Sequence, residues 1–319
     1  MIPTYNRVER LGRVLRALAG QTVDPSAFEV VVVSDGSTDG TDAVIPGLGM
    51  PYELIFVAQR NSGPAVARNT GVSRATGELI LFLDDDVVPS LQLIEQHIRT
   101  HAPSLGPLVV IGPMLTPPGY RANPFVRWEQ AMLYKQYDAL LRGDYTPTYR
   151  QFFTGNASLS RSLILEAGGF DPRYRRAEDI ELAYRLAERG TQFLFNERAI
   201  GYHFAERPFR SWIEIARSYG RNDVIFDRET VADRRKQAGR EFKRRNVFTR
   251  ALTRACVGRG WLEQSLRWPV GAIVASSDIL KWDQLSQVAL SGLYNATYYC
   301  AMADELGGAD RFWRFIKEG

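Results

Sequence analysis

The sequence is poor in the residues that build covalent or thiolate-metal frameworks: its 319 residues include two cysteines, three histidines and five methionines. Cys256 and Cys300 lie far from each other and from every histidine in the chain, which excludes a disulfide scaffold and a cysteine-rich metal site. No uninterrupted apolar run reaches the roughly 18 residues of a membrane-spanning helix. The N-terminus also lacks the charged, then apolar, then small-residue order of a secretory signal. These absences predict a cytoplasmic protein. Internal repeats and low-complexity stretches are missing as well.

Apolar mass and unevenly placed charge take their place. At 45% hydrophobic and 24% charged, the chain can bury a sizeable core, and its length predicts one large domain with an appendage. The formal net charge of +4 divides unequally. From Glu206 onward there are 20 Lys and Arg against 14 acidic residues, a balance of +6, which leaves −2 for the first 205 residues. The basic excess belongs to the tail.

Continuous apolar runs at Val30–Val33, Leu54–Val57, Leu79–Leu83 and Leu108–Ile111 read as strands buried on both faces, since a strand with one wet face would alternate. Helical periods lie between them. Val8, Leu11, Leu15 and Leu18 recur at that spacing after Asn6, a good cap, and Gly20 closes the segment. Strands alternating with helices predict a mostly parallel sheet covered on both faces. Past Arg207 the strands stop and helix-like stretches follow, including Arg234 to Arg254 and Gln284 to Leu306. The predicted organisation is a sheet domain over residues 1–205 and a basic, mainly helical region over 206–319. Residues 113–150, rich in Pro, Tyr and Arg and weak in periodicity, read as a long excursion from the sheet.

In such a sheet, ligands bind beyond the carboxyl ends of the strands, and two acidic groups stand there. Asp35 follows four valines inside SDGSTDGT, where turn chemistry alone accounts for the composition. Asp84, Asp85 and Asp86 follow Leu79–Leu83 directly. If the extended conformation continued, Asp84 and Asp86 would face one way and Asp85 the other. Two carboxylates on one side suit a hard cation that also grips a diphosphate. A solvated acidic turn before Pro89 fits the same residues.

Five pieces in this order resemble glycosyltransferase family 2, inverting nucleotide-sugar enzymes of the GT-A fold: IPTYNR (Ile2–Arg7), SDGSTDGT (Ser34–Thr41), NSGPAVARNTGV (Asn61–Val72), LFLDDDVVP (Leu81–Pro89) and GGFDPRYRRAEDIELAYRLAERG (Gly168–Gly190). The resemblance spans residues 1–205 and implies a Rossmann-like α/β sheet flanked by helices, with a helical C-terminal region after it. It implies that Thr4, Tyr5 and Asp35 hold the nucleotide base, with Asp35 accepting from a ring N–H. Arg68 would lie beside the base or diphosphate, Asp84 would approach the ribose, and Asp86 would bind Mn2+ or Mg2+. Asp179 of the Glu-Asp pair would face the acceptor as the base. A helix N-terminus favours its ionised form, Glu178 and Glu181 oppose it, and an ordinary acidic first turn is the alternative. His203 in IGYHF stands where many relatives complete the metal shell; a core histidine is the alternative there. Phe153–Ser158 resembles the segment lining the sugar and acceptor, with Gly155 and Asn156 at its centre, although a Gly-Asn turn accounts for it nearly as well.

The implied reaction moves a hexosyl group from a nucleotide sugar, UDP-linked, to a hydroxyl of a glycan or lipid-linked glycan, as in polysaccharide or cell-envelope biosynthesis. A cation offsets the diphosphate charge and a base takes the hydroxyl proton. Two alternatives stand beside it. One is a sugar nucleotidyltransferase, whose Gly-rich phosphate loop PTYNRVERLGR lacks; the other is a catalytically silent nucleotide-sugar-binding subunit.

The chain departs from the family pattern in two places. Only Met1 and Ile2 precede PTYN, so the first strand is expected to be truncated. QSLRW at Gln264–Trp268 fits a motif of processive synthases, but it stands far beyond Asp179 and without spanning helices, so non-processive transfer is expected. Arg228–Arg267 carries 12 basic against 4 acidic residues, with Phe242, Val247, Phe248, Leu252 and Trp261 among them. Such a segment either lies on anionic lipid, giving a peripheral contact with the inner face of the membrane, or packs its apolar stripe on the protein. Nucleic acid is not an expected partner, because no binding module accompanies the charge.

Overall fold

The computed structural model describes residues 1–104, 106–174, 176–229, 234–280 and 283–318; Arg175, in the segment ahead of Glu178, lies outside them. The strands are β1 (Ile2–Thr4), β2 (Glu29–Asp35), β3 (Glu53–Gln59), β4 (Leu79–Leu83), β5 (Val87–Pro89), β6 (Leu108–Ile111), β7 (Met114–Leu115), β8 (Asn156–Ser160), β9 (Gln192–Phe195) and β10 (Gly201–His203). The helices are α1 (Val8–Leu18), α2 (Thr41–Val44), α3 (Pro64–Arg74), α4 (Leu93–His101), α5 (Pro124–Leu141), α6 (Arg161–Glu166), α7 (Glu178–Glu188), α8 (Phe209–Glu229), α9 (Arg234–Arg244), α10 (Val247–Cys256), α11 (Gly260–Leu280), α12 (Asp283–Leu306) and α13 (Ala309–Glu318). Two compact units result: residues 1–121 with 132–205, and residues 122–131 with 206–319.

In the first unit, β2 is the middle strand of a parallel set ordered β1–β2–β3, and its four valines are all buried. A strand covered on both faces has no reason to alternate, which is why the run is continuous. Short as it is, β1 sets Thr4 opposite Ser34. Its other edge meets β4, where the Met1 amine donates to the Leu81 carbonyl (2.8 Å) and the Leu83 N–H to the Met1 carbonyl (3.1 Å). From β4 the order continues β4–β8–β6–β9, with β8 antiparallel to both neighbours and β9 parallel to β6. A small sheet, β5–β10–β7, sets His203 opposite Val87.

Side-chain alternation along β2 divides the core. Val31 and Val33 join Phe82, Val109, Phe170 and Leu182 on one face, and Val30 and Val32 join Ile2, Leu11, Leu15 and Leu93 on the other. Helix α7 anchors on the first cluster through Leu182, Ala183 and Leu186, and α1 anchors on the second through Leu11, Val14, Leu15 and Leu18. Each of these Leu and Val side chains contributes about 1.5–3 kcal/mol by leaving water. Both helices are thus held along their apolar faces, and their first turns can carry polar groups.

The second unit has its own core of Val224, Phe242, Ala296, Tyr299, Met302 and Phe312. Helices α8 and α12 approach so closely at Gly220 that a Cβ there would stand 2.1 Å from the Tyr298 carbonyl oxygen. No described helix is long and apolar enough to cross a membrane.

Two expectations change. Residues 113–150 are no structureless excursion: they contain β7 and the 18-residue α5, whose helical period the sequence hides because it mixes aromatic and polar residues. The expected helix from Arg234 to Arg254 is two helices, broken where the Asn246 side chain accepts the Thr249 N–H (2.7 Å) and caps α10.

Candidate active site

The site gathers where β1, β2 and β4 end. Asp35, 6% exposed at the end of β2, accepts the Ser62 N–H (2.9 Å), the Gly63 N–H (2.8 Å) and Gln59 Nε2 (2.7 Å), which fixes the loop entering α3. Gly36 follows at φ +80°, where a Cβ would stand 2.8 Å from the Asn61 nitrogen, so only glycine fits that close approach. Asn6 does not cap α1. Its backbone is left-handed (φ 54°), and its Oδ1 accepts the Thr38 N–H (2.6 Å), while the Val8 N–H of α1 goes to Asp39 Oδ2 (2.9 Å). Two polar turns far apart in sequence therefore hold each other. Tyr5 stands 50% exposed beside them, whereas Thr4 is buried and gives its hydroxyl to Asp85 Oδ2 (2.7 Å).

The acidic triplet does not continue β4. That strand ends at Leu83, and the Asp84 carbonyl accepts the Val87 N–H (3.1 Å), closing a four-residue turn in which strand alternation has no meaning. Asp84 and Asp86 accordingly do not face one way together. Asp85 and Asp86 form the pair, bridged by Arg7 Nη1 at 2.8 Å from Asp85 Oδ1 and 2.8 Å from Asp86 Oδ2. Asp84 turns to Arg68 Nη2 (3.2 Å). Guanidinium groups, not distance, relieve the crowding. Burial pushes Asp85 up to about 6 against the pull of Arg7. For Asp86 burial also works upward, but His203, Arg7 and Arg10 outweigh it and hold the carboxyl at about 2.

Arg68 lies buried on α3 with Nη1 2.5 Å from Glu178 Oε1, so it joins the acidic turn to the start of α7. Ahead of α7, Ala177 is left-handed (φ 61°), a conformation that costs a non-glycine residue on the order of 1–2 kcal/mol. Its neighbour Glu178 is buried against Arg68, and Asp179 accepts the Ile180 N–H (2.8 Å). Burial first, then Glu178, push the Asp179 carboxyl up to about 7, against Arg68 and the Ile180 N–H. The direction that sequence left undecided is upward.

Gly155 belongs to this region: a Cβ there would meet Met114 Sδ at 2.5 Å and Asp84 Oδ2 at 3.0 Å. Asn156 does not. It opens β8, fully buried, with Nδ2 donating to the Pro113 (3.0 Å) and Ala199 (2.7 Å) carbonyls and Oδ1 3.0 Å from His97 Nε2. The expected sugar contact is spent on joining strands.

His203 Nε2 lies 3.4 Å from Asp86 Oδ1, and its Nδ1 is buried without a hydrogen-bond partner. Two ligands at about 2.1 Å on one octahedral cation stand about 3 Å apart, so this pair fits a shared divalent ion with other positions left for water and phosphate oxygens. Among the described residues no third His, Cys, Asp or Glu joins them in a metal-holding group.

The model of Glycosyl transferase family 2 matches residues 1–163. The chain belongs to that family. Validoxylamine A glucosyltransferase of Streptomyces hygroscopicus subsp. limoneus is 34% identical over 227 residues, covering 63% of this chain and 50% of its own length. Glycosyltransferase AglE of Haloferax volcanii is 25% identical over 226 residues, covering 70% of this chain and 72% of its own. The chain spans about half the length of the first of these relatives. Mannosyltransferase PcManGT from Pyrobaculum calidifontis, solved in complex with GDP-Man and Mn2+, superposes with a TM-score of 0.62 at 20% identity, over 94% of this chain and 85% of that one. At that identity the likeness is one of fold, the GT-A type with its Rossmann-like sheet.

Within the family 2 frame, the fold brings together Tyr5, Asp35, Arg68, Asp84, Gly155 and Asp179 with the Asp86–His203 pair. It turns Thr4 into a support and removes Asn156. Three residues carry no role in the sequence motifs: Arg7, which neutralises two carboxylates at once; Asp85, expected only to face away from Asp84 and Asp86; and Glu178, the partner of Arg68. Arg7 and Glu178 stand inside the quoted motifs, and the only signal was an unassigned charge next to an assigned one.

Proposed function

We propose that the chain is an inverting, metal-dependent hexosyltransferase that moves a sugar from a UDP-linked donor to a hydroxyl of a glycan or lipid-linked glycan, in contact with the inner face of a membrane. The observation that carries this reading is the convergence of the Asp86–His203 pair and the Arg68–Glu178–Asp179 cluster at one set of strand ends. Asp35 and Tyr5 are the residues proposed to meet the base, and Asp84 the ribose. Asp86 and His203 would hold manganese or magnesium, which when bound supplies Lewis-acid neutralisation of the leaving diphosphate.

Asp179 takes the proton of the acceptor hydroxyl as its oxygen attacks the anomeric carbon and the bond to the diphosphate breaks, in one displacement with inversion. A carboxyl raised to about 7 is a far stronger base than an ordinary aspartate and is still half ionised at neutral pH. Arg68 neutralises Glu178 and steadies Asp84, so it positions both without needing to reach the sugar. Neither rival gains a supporting observation: the turn after β1 is cross-linked to Thr38 and Asp39 and offers no glycine-rich phosphate loop, and the first strand pairs with β2 while Met1, just ahead of it, bonds to β4.

The test is nucleotide release over a panel of nucleotide sugars, with and without manganese, on wild type beside Asp86→Ala. Manganese-dependent release from one donor and loss of manganese binding by calorimetry in the variant are expected. Equal manganese binding by Asp86→Ala, or no donor bound or turned over, would defeat the reading.

A further inference from the structure

The C-terminal unit keeps apolar residues on the outer side of a short helix. Helix α10 packs inward through Thr249, Thr253 and Cys256, all buried, while Val247 is 72% exposed and Phe248, 57% exposed, rests one ring edge near Gly292 of α12, where a Cβ would stand 3.2 Å from its Cε1. Helical spacing sets residues 247, 251 and 254 in one line, and Val247, Ala251 and Arg254 are all exposed. At the start of this line six consecutive residues are exposed, Lys243-Arg244-Arg245-Asn246-Val247-Phe248; at its end four are, Gly258-Arg259-Gly260-Trp261. Trp261 is 67% exposed, and Trp268, two turns further along α11, is 82% exposed.

Charge sorts the same way. Between Ala238 and Val270 the exposed charged residues are Arg240, Lys243, Arg244, Arg245, Arg254 and Arg259, all basic. The two acids of that span are withdrawn: Glu241 is half-buried, and buried Glu263 is held by Arg267 (2.8 Å) and Thr297 (2.7 Å). A merely solvated face would interleave acids, and a packed one would bury its indoles. Cations among exposed Trp, Phe and Val, with no acid between them, match a bilayer surface, with basic groups at the phosphates and rings at the hydrocarbon boundary.

We propose that α10 and the first turns of α11 form a docking surface for an anionic phospholipid membrane. This deepens the membrane contact in the proposed function and rests on that part of it alone. A second copy of the chain would set cations against cations, and nucleic acid would use the charge while leaving Val247 and Trp268 without a purpose.

The experiment is flotation of the full chain with vesicles of phosphatidylcholine, or of equimolar phosphatidylcholine and phosphatidylglycerol, at low and high salt. Preference for the anionic vesicles is expected, weakened about 25-fold by Lys243→Ala with Arg244→Ala, since each surface cation contributes about fivefold. Val247→Ser and Trp261→Ser together keep the charge and should abolish the binding that survives high salt; Trp268→Ser alone should reduce it. Indifference to phosphatidylglycerol, aromatic variants that bind as wild type does, or a salt-stable dimer dissolved by Trp261→Ser would overturn the proposal. Donor turnover of the same variants without vesicles, expected to be unchanged, separates failure here from failure of the transfer reading.

Discussion

Asp179 and Glu178 are neighbours in sequence with opposite fates: Glu178 meets Arg68 at 2.5 Å, and Asp179 is left to burial and to its neighbour's charge. As the proposed base, Asp179 must be ionised. Activity as kcat/KM should therefore fall tenfold per pH unit below about 7, and a pH–rate profile checks it. The same shift has a cost. A carboxyl whose folded pKa lies above its unfolded value of 3.8 binds its proton more tightly when folded, so its contribution to stability is lost as pH rises toward 7. Asp179→Asn should then abolish transfer yet stabilise the fold at pH 8 by on the order of a few kcal/mol, seen as a raised Tm. Ala177 makes a second residue-scale case. Its left-handed backbone predicts that Ala177→Gly is neutral or stabilises by up to about 1 kcal/mol, whereas a β-branched residue there destabilises, both read by urea unfolding. Neither feature is visible in sequence, because αL backbone and burial arise only once the chain has folded.

At the scale of elements, legibility followed burial. Strands covered on both faces announce themselves as runs such as Val30–Val33, and α1 and α7 announce themselves by apolar periods. The turn Asp84–Val87 does not, since three aspartates carry no period and the hydrogen bond that closes the turn is made by the backbone. Helix α5 was hidden for want of a clean stripe, and the α9–α10 break for want of a signal stronger than one Asn. The structure separates Gly155 from Asn156 for a physical reason: glycine leaves room beside Asp84, while the next side chain turns to the Pro113 and Ala199 carbonyls. Asn156 satisfies two carbonyls that water cannot reach. Asn156→Ala should destabilise the protein by about 2–6 kcal/mol in urea, because it leaves the Ala199 carbonyl and His97 Nε2 unpaired at about 1–3 kcal/mol each, while the Pro113 carbonyl keeps the Gly201 N–H (3.0 Å). The fraction that folds should keep its donor affinity.

At the scale of the whole molecule, charge and core both divide: the residues from Glu206 onward hold the basic excess and build a separate apolar cluster. In sequence that division shows as the end of the strands near residue 206 and the basic excess beyond it; that residues 122–131 join the helical unit had no local signal, because membership is decided by packing across the chain. Denaturant unfolding should show two transitions, and UDP with manganese should raise only the one belonging to the sheet unit, by about 2.7 kcal/mol at a hundredfold excess over Kd. One concerted transition shifted as a whole would argue against independent units.

A single displacement with Asp179 as base fixes the stereochemistry of the released sugar. Proton NMR of the sugar freed by manganese-dependent donor hydrolysis, recorded before mutarotation, should show the anomer opposite to that of the donor and no release by Asp179→Asn. Release of the donor's own anomer, or undiminished turnover by Asp179→Asn, would contradict it.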